Sequence, residues 1–125
     1  MSNTKTVLIC DDSILARKQL GDVIRKFDSE IEIVQATNGE EAVEKYKEVH
    51  PALTFLDIVM PKMDGITAVK NIVEYDEDAD IVIVSSVGTQ TQLKAAIEAG
   101  ARDFVQKPFS ESQVDKIVRA HLEEA

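Results

Sequence analysis

Five short strand-like segments alternate with five amphipathic helical ones along this chain, and that alternation restricts the fold more than any other feature. Thr6-Val7-Leu8-Ile9-Cys10 is continuously apolar, the pattern of a strand buried on both faces. Four further strands are predicted at 31–36, 52–56, 81–84 and 103–106, the fourth almost purely β-branched. Between the first two, Ala16, Leu20, Val23, Ile24 and Phe27 recur at three- and four-residue spacing, as on one face of a helix. Segment 40–49 opens on acids, carries Ala42, Val43, Tyr46 and Val49 as its stripe, and stops at His50-Pro51. Asp64 can cap a helix that buries Ile66, Val69, Ile72 and Val73. Segment 90–99 reads as a helix ending at Gly100, and Ser110 with Gln113 forms a capping box for a last helix bearing Val114, Ile117, Val118 and Leu122. The expectation is the α/β class: one doubly wound, five-stranded parallel sheet with helices on both faces and right-handed crossovers. At 125 residues, one domain over 1–125 is the natural count.

Charge narrows the function. Lys+Arg is 14 against 23 for Asp+Glu, a net −9 at pH 7, which argues against nucleic acid or an anionic membrane surface as partner. A single cysteine, Cys10, forms no intrachain disulfide and reads as a small buried hydrophobe. The apolar runs are far too short to span a membrane, and residues 1–5 lack a signal peptide's apolar stretch, so a reducing, cytoplasmic setting and a monomer are expected. His50 and His121 read as surface residues and 76–80 as a solvated acidic connector.

In a parallel α/β sheet the functional crevice lies beyond the carboxyl ends of the strands. The first strand ends at Asp11-Asp12-Ser13, the third at Asp57, the fourth at Ser85-Ser86 and the fifth at Lys107. Each has an ordinary explanation by itself: Asp11 or Asp12 as a helix cap, Asp57 as a turn residue before Pro61, Ser85 as a strand-end hydroxyl, Lys107 as a solvated lysine. Four of five strands delivering polar groups to one rim weakens those explanations. Two like charges ~4 Å apart repel by about 4 kcal/mol at an effective dielectric of ~20, so clustered carboxylates call for a cation. All the donors are oxygen, with no His or Cys among them, which favours Mg²⁺ (or Mn²⁺) over zinc. Such a site suits delivery of a phosphoryl group to a carboxylate, with Lys107 and the Ser85 hydroxyl available to its oxygens.

At these residues the chain resembles the receiver domain of two-component response regulators, and especially the single-domain, CheY-like chemotaxis type. The resemblance is carried by Val7-Leu8-Ile9-Cys10-Asp11-Asp12-Ser13, by 56–65 (Leu56-Asp57-Ile58-Val59-Met60-Pro61-Lys62-Met63-Asp64-Gly65), by Val84-Ser85-Ser86, by Glu98-Ala99-Gly100-Ala101, and by Phe104-Val105-Gln106-Lys107-Pro108-Phe109. It implies the flavodoxin-like strand order 2-1-3-4-5. It also implies that Asp57 is the phospho-acceptor, that Asp12 binds Mg²⁺ directly and Asp11 through water, and that the backbone carbonyl of Val59 is a further ligand. Lys107 would contact the phosphoryl group, the Lys107-Pro108 peptide would be cis, Ser85 would turn toward the phosphoryl group, and Phe104 would swing inward after it. The implied donor is a sensor histidine kinase or a histidine phosphotransfer domain. The implied output is binding of a target, such as a flagellar motor component, through the face formed by the fourth helix, fifth strand and fifth helix. A phosphorelay intermediate or phosphate sink outside chemotaxis is the alternative role.

Some positions depart from the family pattern. Phe104 lacks the hydroxyl of a Tyr, Ser85 stands where Thr is commoner, and Val59 and Val87 stand where many relatives carry polar or acidic groups. The last two bear on dephosphorylation, not on the acceptor. With the sequence ending just after the fifth helix, an attached output domain is not expected. Three other functions fit the residues less well. An FMN or nucleotide site needs a phosphate loop where Asp11-Asp12 stand. An aspartyl phosphatase usually has a second Asp where Val59 stands. A scaffold that is never phosphorylated does not need the full set of Asp11, Asp12, Asp57, Ser85 and Lys107.

Overall fold

The computed structural model describes residues 5–86 and 90–123. In chain order its elements are β1 (Thr6–Cys10), α1 (Ile14–Phe27), β2 (Glu32–Ala36), α2 (Gly39–Val49), β3 (Leu53–Leu56), α3 (Gly65–Tyr75), β4 (Ile81–Ser85), α4 (Gln90–Ala99), β5 (Asp103–Gln106) and α5 (Glu111–Leu122). The strands form one parallel sheet in the order β2-β1-β3-β4-β5. The order in which strands are added across the sheet therefore reverses at β1, with β2 on one side and β3 on the other.

The two-residue period of the strands sorts their side chains between two layers. Leu8, Cys10, Leu56, Ile81 and Ile83 pack with Ala42 and Tyr46 of α2, Ala68, Val69 and Ile72 of α3, and Ala96 of α4. Val7, Ile9, Leu53, Phe55, Val82 and Val84 pack with Leu20, Val23 and Ile24 of α1 and Val114, Val118 and Leu122 of α5. Burial of β1, β3 and β4 on both faces explains their mainly apolar sequences, interrupted within β3 only by the buried Thr54. β2 is an edge strand, and only its last residue, Ala36, is fully buried. Each fully enclosed Leu, Ile, Val or Phe contributes roughly 1.5–3 kcal/mol from leaving water.

The helix ends follow local chemistry. Asn38, Asp64 and Ser110 cap α2, α3 and α5 through their side-chain oxygens, and Ser110 with Gln113 completes a capping box. The cap of α1 is Ser13, whose hydroxyl accepts the Ala16 N–H at 3.2 Å, and neither Asp11 nor Asp12 serves there. Asp11 instead accepts the N–H of Ser13 at 2.9 Å, which leaves its second oxygen for a distant partner. Two surface expectations also change. Asp76 closes α3 and accepts the Tyr46 hydroxyl at 2.8 Å, so the acidic connector is anchored to α2. Burial and that hydrogen bond both push the Tyr46 pKa up. His121 is half-buried between Asp80 and Asp103, whereas His50 is exposed as expected.

Candidate functional site

Register brings the strand ends to one rim. Cys10 pairs with Ala36 and with Leu56, and Ser85 pairs with Gln106. Backbone bonding continues one residue past three of the strands. Asp11 N–H donates to the Ala36 carbonyl at 3.1 Å, Asp57 N–H to Cys10 at 3.0 Å, and Lys107 N–H to Ser85 at 2.9 Å. The main chain of each charged residue is thus held by the sheet itself, so its side chain starts from a rigid base.

The charges meet over β1 and β3. Lys107 Nζ lies 2.6 Å from Asp11 Oδ2 and 3.1 Å from Asp57 Oδ2, bridging the two carboxylates. The other oxygen of Asp57 accepts the N–H of Ile58 at 2.7 Å. The Asp11 side chain is 1 % exposed, and that of Lys107 only 20 %. Burial pulls the Lys107 pKa down, but hydrogen bonds and charge from Asp11 and Asp57 outweigh it, and the net shift is upward. Asp12 stands exposed beside this pair, and one carboxylate oxygen from each of Asp11, Asp12 and Asp57 lies within 4.8 Å of the others. This all-oxygen donor set fits a hard divalent cation of the Mg²⁺ type. Cys10, next in chain to Asp11, is excluded from chemistry. Burial, then the charges of Asp11, Glu41 and Asp57, push its thiol up to about 12, against a weaker opposing effect of Arg17.

Ser85 is buried at the end of β4. Phe104 is half-buried and packs against the layer formed with α2, α3 and α4. Phe104 pairs with Ile83, two residues before Ser85, so Phe104 and Ser85 share one face of neighbouring strands. Val59 is exposed and lines an open groove of about 430 Å³ with Ile58, Met60, Asp64, Ile66 and Thr67. Val87 lies outside the described residues. The Lys107-Pro108 peptide is cis.

Three residues that the sequence reading did not single out position this cluster. Arg17 donates through Nη1 to the Asp11 carbonyl at 2.7 Å and through Nε to Gln35 at 2.8 Å, fixing the turn after β1. It lies one turn into α1, where nothing in the sequence separates it from the other polar residues of that face. Gly39 and Gly65 clamp the loop after β3. Gly39 N–H donates to the Met63 carbonyl at 3.1 Å and Gly65 N–H to that of Ile58 at 2.7 Å. A Cβ on Gly39 would overlap the Met63 backbone, and one on Gly65 would overlap the Asp57 carbonyl. Both glycines follow a capping residue, so the sequence marks them as helix starts and hides their close approach. Gly65→Ala should therefore cost about 2 kcal/mol, in the range of overpacking, and displace the acceptor loop. Urea unfolding checks this, and an unchanged midpoint would show that the loop yields freely.

The comparisons with known proteins agree with this geometry. The response regulator receiver domain profile matches residues 7–119. The chemotaxis protein CheY of Thermotoga maritima is 48% identical over 110 residues, covering 88% of this chain and 91% of the relative. CheY of Bacillus subtilis is 45% identical over 114 residues, covering 91% and 92%. Among solved structures, a CheX-CheY-BeF3-Mg²⁺ complex from Borrelia burgdorferi superimposes with a TM-score of 0.85 at 38% identity, covering 96% of this chain and 90% of that one. A parallel sheet in the order 2-1-3-4-5, an acidic rim over its reversal point and a profile match along nearly the whole chain have one common account: the protein belongs to the response regulator receiver domain family of two-component signalling, among its CheY-like members.

Proposed function

We propose that this chain, as a single receiver domain over 1–125, takes a phosphoryl group from a phosphohistidine of a partner kinase or phosphotransfer domain onto Asp57. The observation that carries the proposal is the placement of Asp57 within 4.8 Å of Asp11 and Asp12 and in contact with Lys107. A carboxylate oxygen of Asp57 attacks phosphorus. The new P–O bond forms as the P–N bond to the donor imidazole breaks, and the imidazole nitrogen leaves with the electron pair. Asp57 is held for this by the Ile58 N–H on one oxygen and by the backbone bond to Cys10. Lys107, already bridging two carboxylates, needs only to exchange partners to meet the incoming phosphoryl oxygens. Asp12 and Asp57, with the Val59 carbonyl and Asp11 through water, would hold Mg²⁺ or Mn²⁺, which when bound offsets charge on the phosphoryl oxygens.

Output follows from Ser85 and Phe104. A phosphoryl group on Asp57 would draw the Ser85 hydroxyl toward it, vacating space on the sheet face that Phe104 shares. Phe104 would rotate inward and the face of α4, β5 and α5 would change, shifting the population toward a form that binds a target. The high identity to chemotaxis proteins named CheY supports chemotaxis as the pathway, in which a flagellar motor component would be the target. Incubation with acetyl phosphate, or with beryllium fluoride as mimic, in Mg²⁺ buffer tests the acceptor. Mass spectrometry should place the acyl phosphate on Asp57, and modification elsewhere or none at all would defeat the proposal.

The lifetime of the signal is a further expectation. Hydrolysis needs a water in line with the phosphorus, and the apolar side chain of Val59 has no group to hold one. Placing such a group changes rates by about tenfold or more. Val59→Asn, alone or with Val87→Glu, should speed decay of the phosphorylated form to that degree in Mg²⁺ buffer. Equal decay in wild type and variants would remove these side chains from control of water access.

A further inference from the structure

At the end of the sheet opposite Asp57, three titratable groups from three elements converge. Asp80 immediately precedes β4, Asp103 opens β5, and His121 stands in the last turn of α5. His121 uses both ring nitrogens: Nδ1 lies 2.8 Å from each carboxylate oxygen of Asp80, and Nε2 lies 3.2 Å from Asp103 Oδ2. A neutral imidazole has one N–H and can donate to only one of these carboxylates, whereas an imidazolium donates to both. The arrangement therefore suits the cation. Burial acts against the charge on His121, but the hydrogen bonds and charges of Asp80 and Asp103 outweigh it, and the pKa is raised.

Asp103 carries the effect further. Its Oδ1 accepts the backbone N–H of Phe104 at 2.9 Å, so one carboxylate joins His121 to the residue proposed to swing on activation. Two further charged side chains near this turn have partners of their own. Lys5 donates to the Leu122 carbonyl at 2.6 Å, and Arg119 on α5 pairs with Asp115 and Glu123. The charges acting on the ring are those of Asp80, from the chain entering β4, and Asp103, from β5.

We propose that His121 is a pH-operated clasp that ties the last turn of α5 to the starts of β4 and β5 and, through Asp103, restrains Phe104, so that acid opposes switching. The clasp stands on the geometry alone, and its control of switching rests on the phospho-acceptor reading above. Because the folded state favours the protonated ring, the clasp is fully closed below the ordinary histidine range. It opens as pH rises through the higher folded-state value.

Two measurements on wild type and His121→Gln test this, since glutamine can hydrogen-bond but does not titrate. The first is amide exchange at Phe104 and in the last turn of α5, without metal or phosphodonor, at pH about 6 and about 8, either side of the ordinary histidine value. Corrected for intrinsic rates, protection should fall with rising pH in wild type by about tenfold more than in the variant, the worth of one hydrogen bond to a charged group. Asp80→Asn, which leaves the ring and Asp103 in place, should reduce the pH dependence to a value between those of wild type and His121→Gln. Equal profiles in wild type and the variants would overturn the clasp. The second is affinity for beryllium fluoride with Mg²⁺ at the same two pH values. Wild type should lose more affinity on acidification than His121→Gln, and an equal loss would overturn control of switching. Absence of beryllium fluoride binding in both proteins would overturn the acceptor reading, and with it that control, while the exchange result still decides the clasp.

Discussion

Asp57→Asn should fold as wild type does and accept no phosphoryl group. Asparagine matches aspartate in size, its carbonyl oxygen can still accept the Ile58 N–H, and the backbone bond to the Cys10 carbonyl is untouched. What disappears is the anionic oxygen that would attack phosphorus. An amide oxygen is a far weaker nucleophile, and no neighbour replaces it. Asp11 is buried and held by Lys107 and the Ser13 N–H, and Asp12 is exposed to solvent. Phosphorylation stoichiometry with acetyl phosphate and Mg²⁺ should fall to background while the circular dichroism spectrum is unchanged. Undiminished stoichiometry would assign the acceptor to another residue.

Lys107→Met should destabilise the metal-free protein by about 3 kcal/mol, the low end of the range for breaking a buried ion pair. Methionine fills much of the lysine stem's volume, so little of this is packing. The cost arises because Asp11, 1 % exposed, and Asp57, 10 % exposed, would face each other without the ammonium that now contacts both. Mg²⁺ should narrow the gap, because a cation bound to the folded state alone adds about 2.7 kcal/mol at a hundredfold excess over its Kd, and the added negative charge favours its binding. Urea unfolding of wild type and variant in EDTA and in Mg²⁺ measures both effects. A variant as stable as wild type in EDTA would mean that water already screens the two carboxylates.

Strand ends alone leave the role of the lysine incomplete. Three carboxylates on one rim call for a cation, and their oxygen donors point to a divalent ion. In the folded protein Lys107 already meets part of that need for Asp11 and Asp57, while Asp12 remains exposed to solvent. The reach of a flexible four-carbon stem across from β5 to β1 and β3 depends on the order of the strands, which the apolar pattern does not encode. Ser13 likewise displaced Asp11 and Asp12 as the cap of α1 because Asp11 is committed to its turn and to Lys107. His121 differs in the same way. A lone histidine in a polar-faced last turn gives no hint of Asp80 and Asp103, 41 and 18 residues away.

The sequence by itself determined the class of fold, the helix caps at Asp64 and Ser110, and the delivery of Asp11, Asp57, Ser85 and Lys107 to one edge. Those properties follow from local periods and capping chemistry, which act within a few residues and survive without knowledge of neighbours. Tertiary structure decided which groups touch. It set Lys107 between Asp11 and Asp57, Arg17 against the Asp11 carbonyl, Gly39 and Gly65 against the acceptor loop, and His121 between two strands' starts. Each is a hydrogen bond or close approach of a few ångströms, and those of Lys107, Gly39 and His121 join elements distant in the chain. Such distances emerge only once strand order, register and helix packing are set together by the burial of both faces of the sheet.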